Sequence, residues 1–226
     1  MARLARVVVP GLAHHITQRG NRRERIFLRP GDEQAYRAFL AEQLRRFEVE
    51  AWAYCLMPNH VHLILVPATE SGLSLAVGEA HRRYTSFIND REGWSGHLFQ
   101  GRFHSVVMDE GRLLSAARYV ALNPVRARLV ERAEAWPWSS ARAHLAGRDD
   151  CLVSVRPLLE RAEATQLLGW SEYDAPLWEA LRAAVKTGRP LGSPHFVSTL
   201  EGRVGRRLAP QRRGRKPVEL SRAPLL

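Results

Sequence analysis

Two apolar stretches, residues 50–56 and 60–66, are separated only by Met57-Pro58-Asn59, and this spacing restricts what the chain can fold into. Both stretches have the length and composition of β-strands, and Pro58-Asn59 is a turn signal, so the sequence predicts a β-hairpin. Side chains alternate between the two faces of a strand, so His60 and His62 should share a face. Two imidazoles that are two positions apart on one face of a strand can bind one metal ion, although an isolated His-x-His is more often an ordinary histidine pair.

The remaining periodic segments extend this hairpin into the order β-α-β-β-α-β-α. The other strands are predicted over 13–19 and 102–108, and helices over 32–47, 112–122 and from Ser71 or Ser74 to residue 89, with Asp32 capping the first helix. This is the ferredoxin-like order, an α+β fold with a four-stranded antiparallel sheet. We expect helices on one face of the sheet and a free opposite face for substrate.

The chain changes character after about residue 130. We expect a first domain over 1–130, a mostly helical C-terminal extension over 131–200 and a basic flexible tail over 201–226. Residues 202–217 contain seven basic side chains and no acidic one, with too few apolar residues for a core. Within them Arg213 and Arg215 resemble the core of a minor-groove DNA-binding segment, and general attraction to phosphate is the simpler interpretation.

The charge of the chain favours a polyanionic partner. Its formal net charge is +11 and its pI is near 10.8, which favours nucleic acid. No apolar run approaches the length needed to cross a bilayer, and the N-terminal apolar run is too short for a secretory signal, so we expect a cytoplasmic protein without membrane contact. Its two cysteines make neither a disulfide framework nor a zinc cluster.

A second candidate group lies on the last predicted helix. Tyr119 and Asn123 are four residues apart and should project from the same side. The phenol could attack phosphorus, and the amide oxygen could complete a metal shell. The ordinary interpretation is equally available, with Tyr119 in the core and Asn123 ending the helix before Pro124.

Five segments in order carry a resemblance to a known family. They are His15-Ile16-Thr17-Gln18-Arg19-Gly20-Asn21, Met57-Pro58-Asn59-His60-Val61-His62-Leu63-Ile64, Arg83-Tyr84-Thr85-Ser86-Phe87-Ile88-Asn89, Gly96-His97-Leu98-Phe99-Gln100-Gly101-Arg102-Phe103 and Tyr119-Val120-Ala121-Leu122-Asn123-Pro124-Val125-Arg126-Ala127. The sequence resembles single-tyrosine HUH transposases, in the branch of REP-associated tyrosine transposases. The match covers roughly residues 10–145.

The resemblance implies an enzyme that cleaves and rejoins single-stranded DNA carrying hairpin (REP-like) repeats through a covalent 5′-phosphotyrosine intermediate. It implies Tyr119 as nucleophile, His60, His62 and Asn123 as metal ligands, and Mg²⁺ or Mn²⁺ as the metal. Mobile relatives more often have glutamine where Asn123 stands. The resemblance also admits a homodimer, since mobile relatives swap the tyrosine helix between subunits.

Several arginines are candidates for DNA contact. Arg19, Arg22, Arg23 and Arg25 follow the first strand, where a hairpin contact and a merely solvated basic loop are both reasonable interpretations. Arg102 and Arg126 are further candidates for the DNA backbone. Tyr84 also lies on a predicted helix, but in the resemblance it occupies a packing position.

Two other functions compete with the nuclease. One is a non-catalytic, sequence-specific DNA-binding regulator on the same fold, which would bind DNA in a salt-sensitive way and cleave nothing. The other is a phosphodiesterase with two His-x-Ser/Thr motifs, for which the chain lacks a second motif at the required spacing.

Overall fold

The computed structural model describes residues 5–169 and 174–209. Their strands are β1 His14–Arg19, β2 Val49–Met57, β3 His60–Pro67 and β4 His104–Val107. Their α-helices are α1 Asp32–Arg46, α2 Gly72–Glu92, α3 Glu110–Ala121, α4 Asn123–Arg126, α5 Ala141–Ala146, α6 Arg156–Leu159, α7 Ala164–Leu168, α8 Asp174–Thr187 and α9 Pro194–Val204. No helix among these residues is long and apolar enough to cross a bilayer.

The four strands form one antiparallel sheet in the order β2-β3-β1-β4. This is the ferredoxin-like arrangement, and it confirms the predicted fold class. The short turn at Pro58-Asn59 joins β2 to β3 as expected. It fixes the register that pairs Met57 with His60 and Cys55 with His62.

Helices α1 and α2 cover one face of the sheet. Their apolar side chains bury against Ile16, Leu63 and Leu65, which alternate with the polar positions of β1 and β3. The predicted cap at Asp32 is wrong: Gly31 is the N-cap residue. The Asp32 carboxylate instead accepts hydrogen bonds from the backbone N–H groups of Leu28 and Arg29, and so holds the loop before α1.

The opposite face is not free, which corrects a second expectation. Helix α3 packs on β2 and β3, and α8 packs on α3 and β4, around a second core that includes Ile64 and Val106. The buried Asp174 carboxylate pairs with both Nε and Nη2 of Arg118, at 2.6 and 2.7 Å, and fixes the start of α8 on α3. A pocket remains beside these helices, and the histidine pair lines it.

The residues after 130 join these cores directly. Trp136 donates its indole N–H to the Leu56 carbonyl, and the backbone of Trp138 and Ser140 pairs with β2. Val153 and Leu158 are buried in the first and second core respectively. The expected boundary at 200/201 lies inside α9, and beyond that helix Leu208 is buried in a third cluster with Val7 and Val9.

Buried neutral histidines make the fold sensitive to acid. Burial lowers the pKa of His14 to about 4 and that of His81 to about 3, from 6.5. The unfolded chain therefore binds more protons than the folded one below pH 6.5, so stability is full above 6.5 and is lost as the pH falls. At pH 5 each of these two histidines therefore lowers the free energy of unfolding by about 2 kcal/mol. We expect urea unfolding to give a free energy at least about 2 kcal/mol lower at pH 5 than at pH 7. An unfolding free energy that stays flat across this range would contradict the assignment.

Candidate functional site

The face opposite α1 and α2 brings the two predicted histidines together at the start of β3. The ring centroids of His60 and His62 are 4.9 Å apart, and both side chains line a pocket of about 260 Å³. Their shared face follows from strand alternation. Their position at the open end of the sheet follows from the turn immediately before them.

Hydrogen bonds orient both imidazoles in the same sense. His60 Nδ1 bonds Asn59 Oδ1 at 2.6 Å, and His62 Nδ1 bonds His15 Nε2 at 3.0 Å. The acceptor Asn59 Oδ1 makes Nδ1 of His60 a donor and leaves its Nε2 able to bind a metal, and a His62 ring that donates to His15 through Nδ1 likewise presents Nε2. Burial is the main cause that lowers the pKa of His60, to about 4, and that of His62 well below its usual value. Both rings are neutral at pH 7, the protonation state a metal ligand requires.

Tyr119 reaches the same pocket from α3. Its ring centroid lies 5.4 Å from that of His62 and 5.9 Å from that of His15, edge-on to both. The centroid of the Trp178 ring of α8 lies 5.8 Å from that of Tyr119, and the Arg126 guanidinium lies 4.7 Å from the Tyr119 centroid. The residue is 7% exposed and lines the pocket. His62 and Tyr119, which are 57 positions apart in the sequence, thus meet at one cavity.

Asn123 is placed differently from the other predicted residues. Helix α3 ends at Ala121, and Asn123 begins the separate short helix α4. Its Nδ2 donates to the Tyr119 carbonyl at 3.0 Å, it is buried, and it is not among the residues lining the pocket. Because Nδ2 of the Asn123 side chain is used in the hydrogen bond to the Tyr119 carbonyl, Oδ1 is the atom that remains available to a cation. Its ligand role stays a prediction.

Positive charge surrounds the pocket. Arg19 of β1 and Arg182 and Lys186 of α8 line it, and all three are exposed. Such a cavity favours an anionic ligand such as a phosphodiester.

The predicted basic loop is joined to the histidine hairpin. Asn59 Nδ2 donates to the Arg23 carbonyl, while Asn59 Oδ1 bonds His60. The backbone N–H of Gly20 and of Ile26 donate to the Asn59 and Pro58 carbonyls. The loop holding Arg22, Arg23 and Arg25 is therefore fixed beside His60, with these three side chains exposed. Arg102 is exposed on the loop before β4, whereas Arg213 and Arg215 lie outside the described residues.

The backbone of this loop is strained at two arginines. Arg22 has φ 52° and Arg23 has φ 66°, in the left-handed region that favours glycine. We expect Arg22→Gly to leave the unfolding free energy unchanged or raise it by up to about 1 kcal/mol while weakening DNA binding. Urea unfolding and fluorescence anisotropy with a hairpin oligonucleotide measure the two quantities. A variant that is more stable and binds DNA with undiminished affinity would show that Arg22 only solvates the loop.

Sequence reasoning missed His15, Trp178, Arg182 and Lys186 at this site. His15 follows from the same alternation as His60 and His62 once β1 is known to pair with β3. Among the residues that the structure describes, its buried Nδ1 has no hydrogen-bond partner, and its Nε2 bonds His62. Trp178 comes from the extension, where no local sequence signal pointed to the pocket.

The donor set suits a divalent metal only if oxygen atoms complete it. Within residues 5–169 and 174–209, no three His, Cys, Asp or Glu side chains form a group that could hold a metal ion. Two neutral imidazoles with free Nε2 atoms are nevertheless a partial shell, and an amide, water or phosphate oxygen can supply the rest. The residues therefore fit a metal bound jointly by protein and substrate.

Comparisons with known proteins identify relatives of this chain. A curated protein of Haemophilus influenzae, named "Putative REP-associated tyrosine transposase", is 23% identical over 116 residues, which cover 46% of this chain and 66% of that protein. This chain therefore spans slightly under two thirds of that relative's length.

A solved structure of a REP-associated tyrosine transposase bound to a REP hairpin superposes with a TM-score of 0.57. The identity is 21%, and the match covers 68% of this chain and 92% of the other. At that identity the likeness shows the fold. The family model described as "Transposase IS200 like" matches residues 8–123, a span that includes both histidines, Tyr119 and Asn123. With more than half of its length matched, the chain belongs to the IS200-like transposase family.

Proposed function

We propose that this protein cleaves and rejoins single-stranded DNA carrying hairpin repeats, with Tyr119 as the nucleophile. The observation that carries the proposal is the meeting of Tyr119 with His60 and His62 at one cation-lined pocket. Membership of a transposase family supports DNA as the substrate. The hairpin is proposed because the solved structure with the same fold is bound to one.

His60 and His62 would hold a divalent metal, Mg²⁺ or Mn²⁺, through their Nε2 atoms, with Asn123 Oδ1 as the proposed third ligand. When bound, the metal would withdraw charge from the scissile phosphate and stabilise the leaving oxygen. Neutral rings bind without first losing a proton, because burial has already lowered their pKa values. His15 and Asn59 hold the two rings in the ligand orientation through their Nδ1 atoms.

The chain's other groups would bind and orient the DNA. Arg19, Arg182 and Lys186 offset the negative charge of the phosphodiester in the pocket. Trp178 and Arg126 contact the Tyr119 ring and limit its motion, which aims the hydroxyl. The exposed basic loop would contact the backbone of the hairpin beside His60.

The proposed step is an exchange of ester bonds. A bond forms between Tyr119 Oη and phosphorus as the bond between phosphorus and the 3′-oxygen breaks. The phenol proton leaves to solvent, and the released 3′-oxygen takes up a proton to become a hydroxyl. The phosphotyrosine ester conserves the bond, so attack by a 3′-hydroxyl reverses the step and joins strands without a nucleotide cofactor.

Formation of the covalent adduct tests the proposal. The protein would be incubated with labelled single-stranded oligonucleotides that carry REP-like hairpins with single-stranded flanks, with Mn²⁺ or with EDTA. A band that is slower than free DNA under denaturing conditions, and that requires Mn²⁺, is expected. Salt-sensitive binding with no cleavage under any metal condition would instead support the DNA-binding regulator.

A further inference from the structure

The histidine pocket contains an imidazole to which the proposed mechanism gives no role. His104 begins β4 and lines the same pocket of about 260 Å³ as His60, His62 and Tyr119. Its side chain is partly exposed, so a ligand in the pocket can reach it. The proposed cleavage releases a 3′-oxygen that must take up a proton, and His104 is a candidate for the source of that proton.

The sheet register places His104 in one row with His62. Thr17 of β1 pairs with His62 of β3 on one side and with His104 of β4 on the other. Directly paired residues point to the same face of a sheet, so both imidazoles belong to the face that carries the pocket. Neighbouring strands lie about 4.8 Å apart, which separates the two histidine backbones by about 10 Å. A phosphodiester fits between them, with one ester oxygen directed to each side.

The helices above this row set the direction of the proposed reaction. Helix α3, which carries Tyr119, packs on β2 and β3, whereas α8 packs on β4 next to His104. In displacement at phosphorus, the attacking and the leaving oxygen lie roughly in line on opposite sides of the phosphorus atom. A phenol that attacks from the α3 side therefore directs the leaving 3′-oxygen towards β4, which is the side of His104.

A hydrogen bond to α8 orients the His104 ring. His104 Nδ1 lies 2.8 Å from the carbonyl oxygen of Val185. Because a carbonyl oxygen can only accept, Nδ1 keeps its proton, and Nε2 is the ring nitrogen that gains and loses one. Helix α8 is fixed on α3 by the ion pair between Arg118 and Asp174. The same helix contact therefore holds the positions of His104 and Tyr119 relative to each other.

Other groups that line the pocket are less suited to this proton transfer. His15 is 1% exposed and is bonded to His62, and an arginine such as Arg182 keeps its proton in proteins. Lys186 is an exposed ammonium group, which can bind phosphate as a point charge. Histidine is the side chain that both gives and takes a proton near neutral pH. His104 therefore has the chemistry that cleavage and its reversal both require.

We propose that His104 is the general acid of strand cleavage and the general base of strand joining. In cleavage the bond between Tyr119 Oη and phosphorus forms, the bond between phosphorus and the 3′-oxygen breaks, and the proton on His104 Nε2 moves to that oxygen. In joining, the neutral His104 ring takes the proton of the attacking 3′-hydroxyl while the phosphotyrosine ester breaks. Solvent takes the phenol proton in the first direction and returns it in the second. This inference rests on the proposed function, since it needs DNA in the pocket.

A substrate with a sulfur leaving group tests the proton transfer. An oligonucleotide whose scissile 3′-oxygen is replaced by sulfur releases a thiolate, which needs no proton to leave. His104→Asn keeps an N–H donor for the Val185 carbonyl and removes Nε2. Single-turnover rates of adduct formation with Mn²⁺, measured on denaturing gels, are compared with those of the unsubstituted protein. We expect His104→Asn to be slower by about 10²-fold on the oxygen ester and to be within about threefold on the sulfur ester.

Two control variants separate proton transfer from other effects. Lys186→Gln removes a charge from the same pocket, so it should slow the reactions of the oxygen and sulfur esters by the same factor. His195→Gln removes an exposed histidine of α9 and should change neither rate. Equal slowing of the two esters by His104→Asn, or rescue by sulfur of Lys186→Gln alone, would overturn the assignment of His104.

His104→Gln keeps the test independent of the first variant. Its amide lies near the position of Nε2 and can donate a hydrogen bond but no proton, so it should also be slow on the oxygen ester and near normal on the sulfur ester. Full activity of His104→Gln on the oxygen ester would show that a hydrogen bond is enough, and would overturn the general acid. Failure of the unsubstituted protein to form an adduct with either ester would overturn the proposed function itself.

Discussion

Tyr119→Phe is expected to abolish the covalent protein–DNA adduct while leaving hairpin affinity within about twofold. The substitution removes one oxygen, and no hydroxyl is left to attack phosphorus, so the loss should be on the order of 10³-fold or more. The ring contacts with His62, Trp178 and Arg126 survive in phenylalanine. Denaturing gels measure the adduct, and anisotropy in EDTA measures binding.

Tyr84→Phe is the matched control for this experiment. Tyr84 lies on α2, is fully buried, and donates its hydroxyl to the Ile26 carbonyl at 2.7 Å, as a packing residue would. Its loss should lower stability by about 1 kcal/mol and leave the adduct in place. An adduct that persists in Tyr119→Phe and disappears in Tyr84→Phe would show that the nucleophile is Tyr84 of α2 and not Tyr119 of α3.

His60→Ala should give the second largest loss, about 10³-fold in adduct formation, together with weaker Mn²⁺ binding. His60 is partly exposed at the pocket edge, so its removal should leave the core intact. Titration calorimetry with Mn²⁺ and the adduct assay give the two readouts. DNA affinity in EDTA should change little, because the imidazole is neutral and contributes no charge to phosphate binding.

His195→Ala, at an exposed position of α9, is the control for removing a histidine. A His60 variant that binds Mn²⁺ normally but forms no adduct would show that the ring acts on DNA rather than on metal. Asn123→Ala in the same series addresses the third ligand. Weaker Mn²⁺ binding would support Asn123 Oδ1, and unchanged binding would leave water or DNA oxygen to complete the shell.

The sequence was sufficient for the sheet and for the histidine pair. Period-two alternation and the Pro58-Asn59 turn located β2 and β3, and the element order identified the topology that places β1 next to β3. These are local signals, since each depends on residues a few positions apart. The same reasoning extended to β1 would have placed His15 on the face of His62.

Contacts between elements far apart in the sequence could not be predicted from local sequence patterns. The free sheet face was expected because nothing near Asp174 or Trp178 indicates that α8 lies on α3. The ion pair between Arg118 and Asp174 joins residues 56 positions apart, and it exists only once both helices are packed. Asp32 likewise satisfies the cap pattern in sequence, yet tertiary contacts with Arg91 and the preceding loop use its carboxylate.

The spacing of Tyr119 and Asn123 in the sequence also did not predict that α3 ends before Asn123. Four residues normally bring two side chains to one helix face, but here the helix ends at Ala121 and a new turn begins with Asn123. Tyr119 therefore lines the pocket while Asn123 bonds its backbone. The pocket therefore brings together the tyrosine and the two histidines but not the amide.

The most direct measurement of the central claim is mass spectrometry of the peptide that carries DNA after protease and nuclease digestion of the adduct. We predict a nucleotide mass on the peptide containing Tyr119, and on no other tyrosine peptide. A nucleotide mass on a peptide with a different tyrosine, or an adduct formed without any modified tyrosine, would contradict this account.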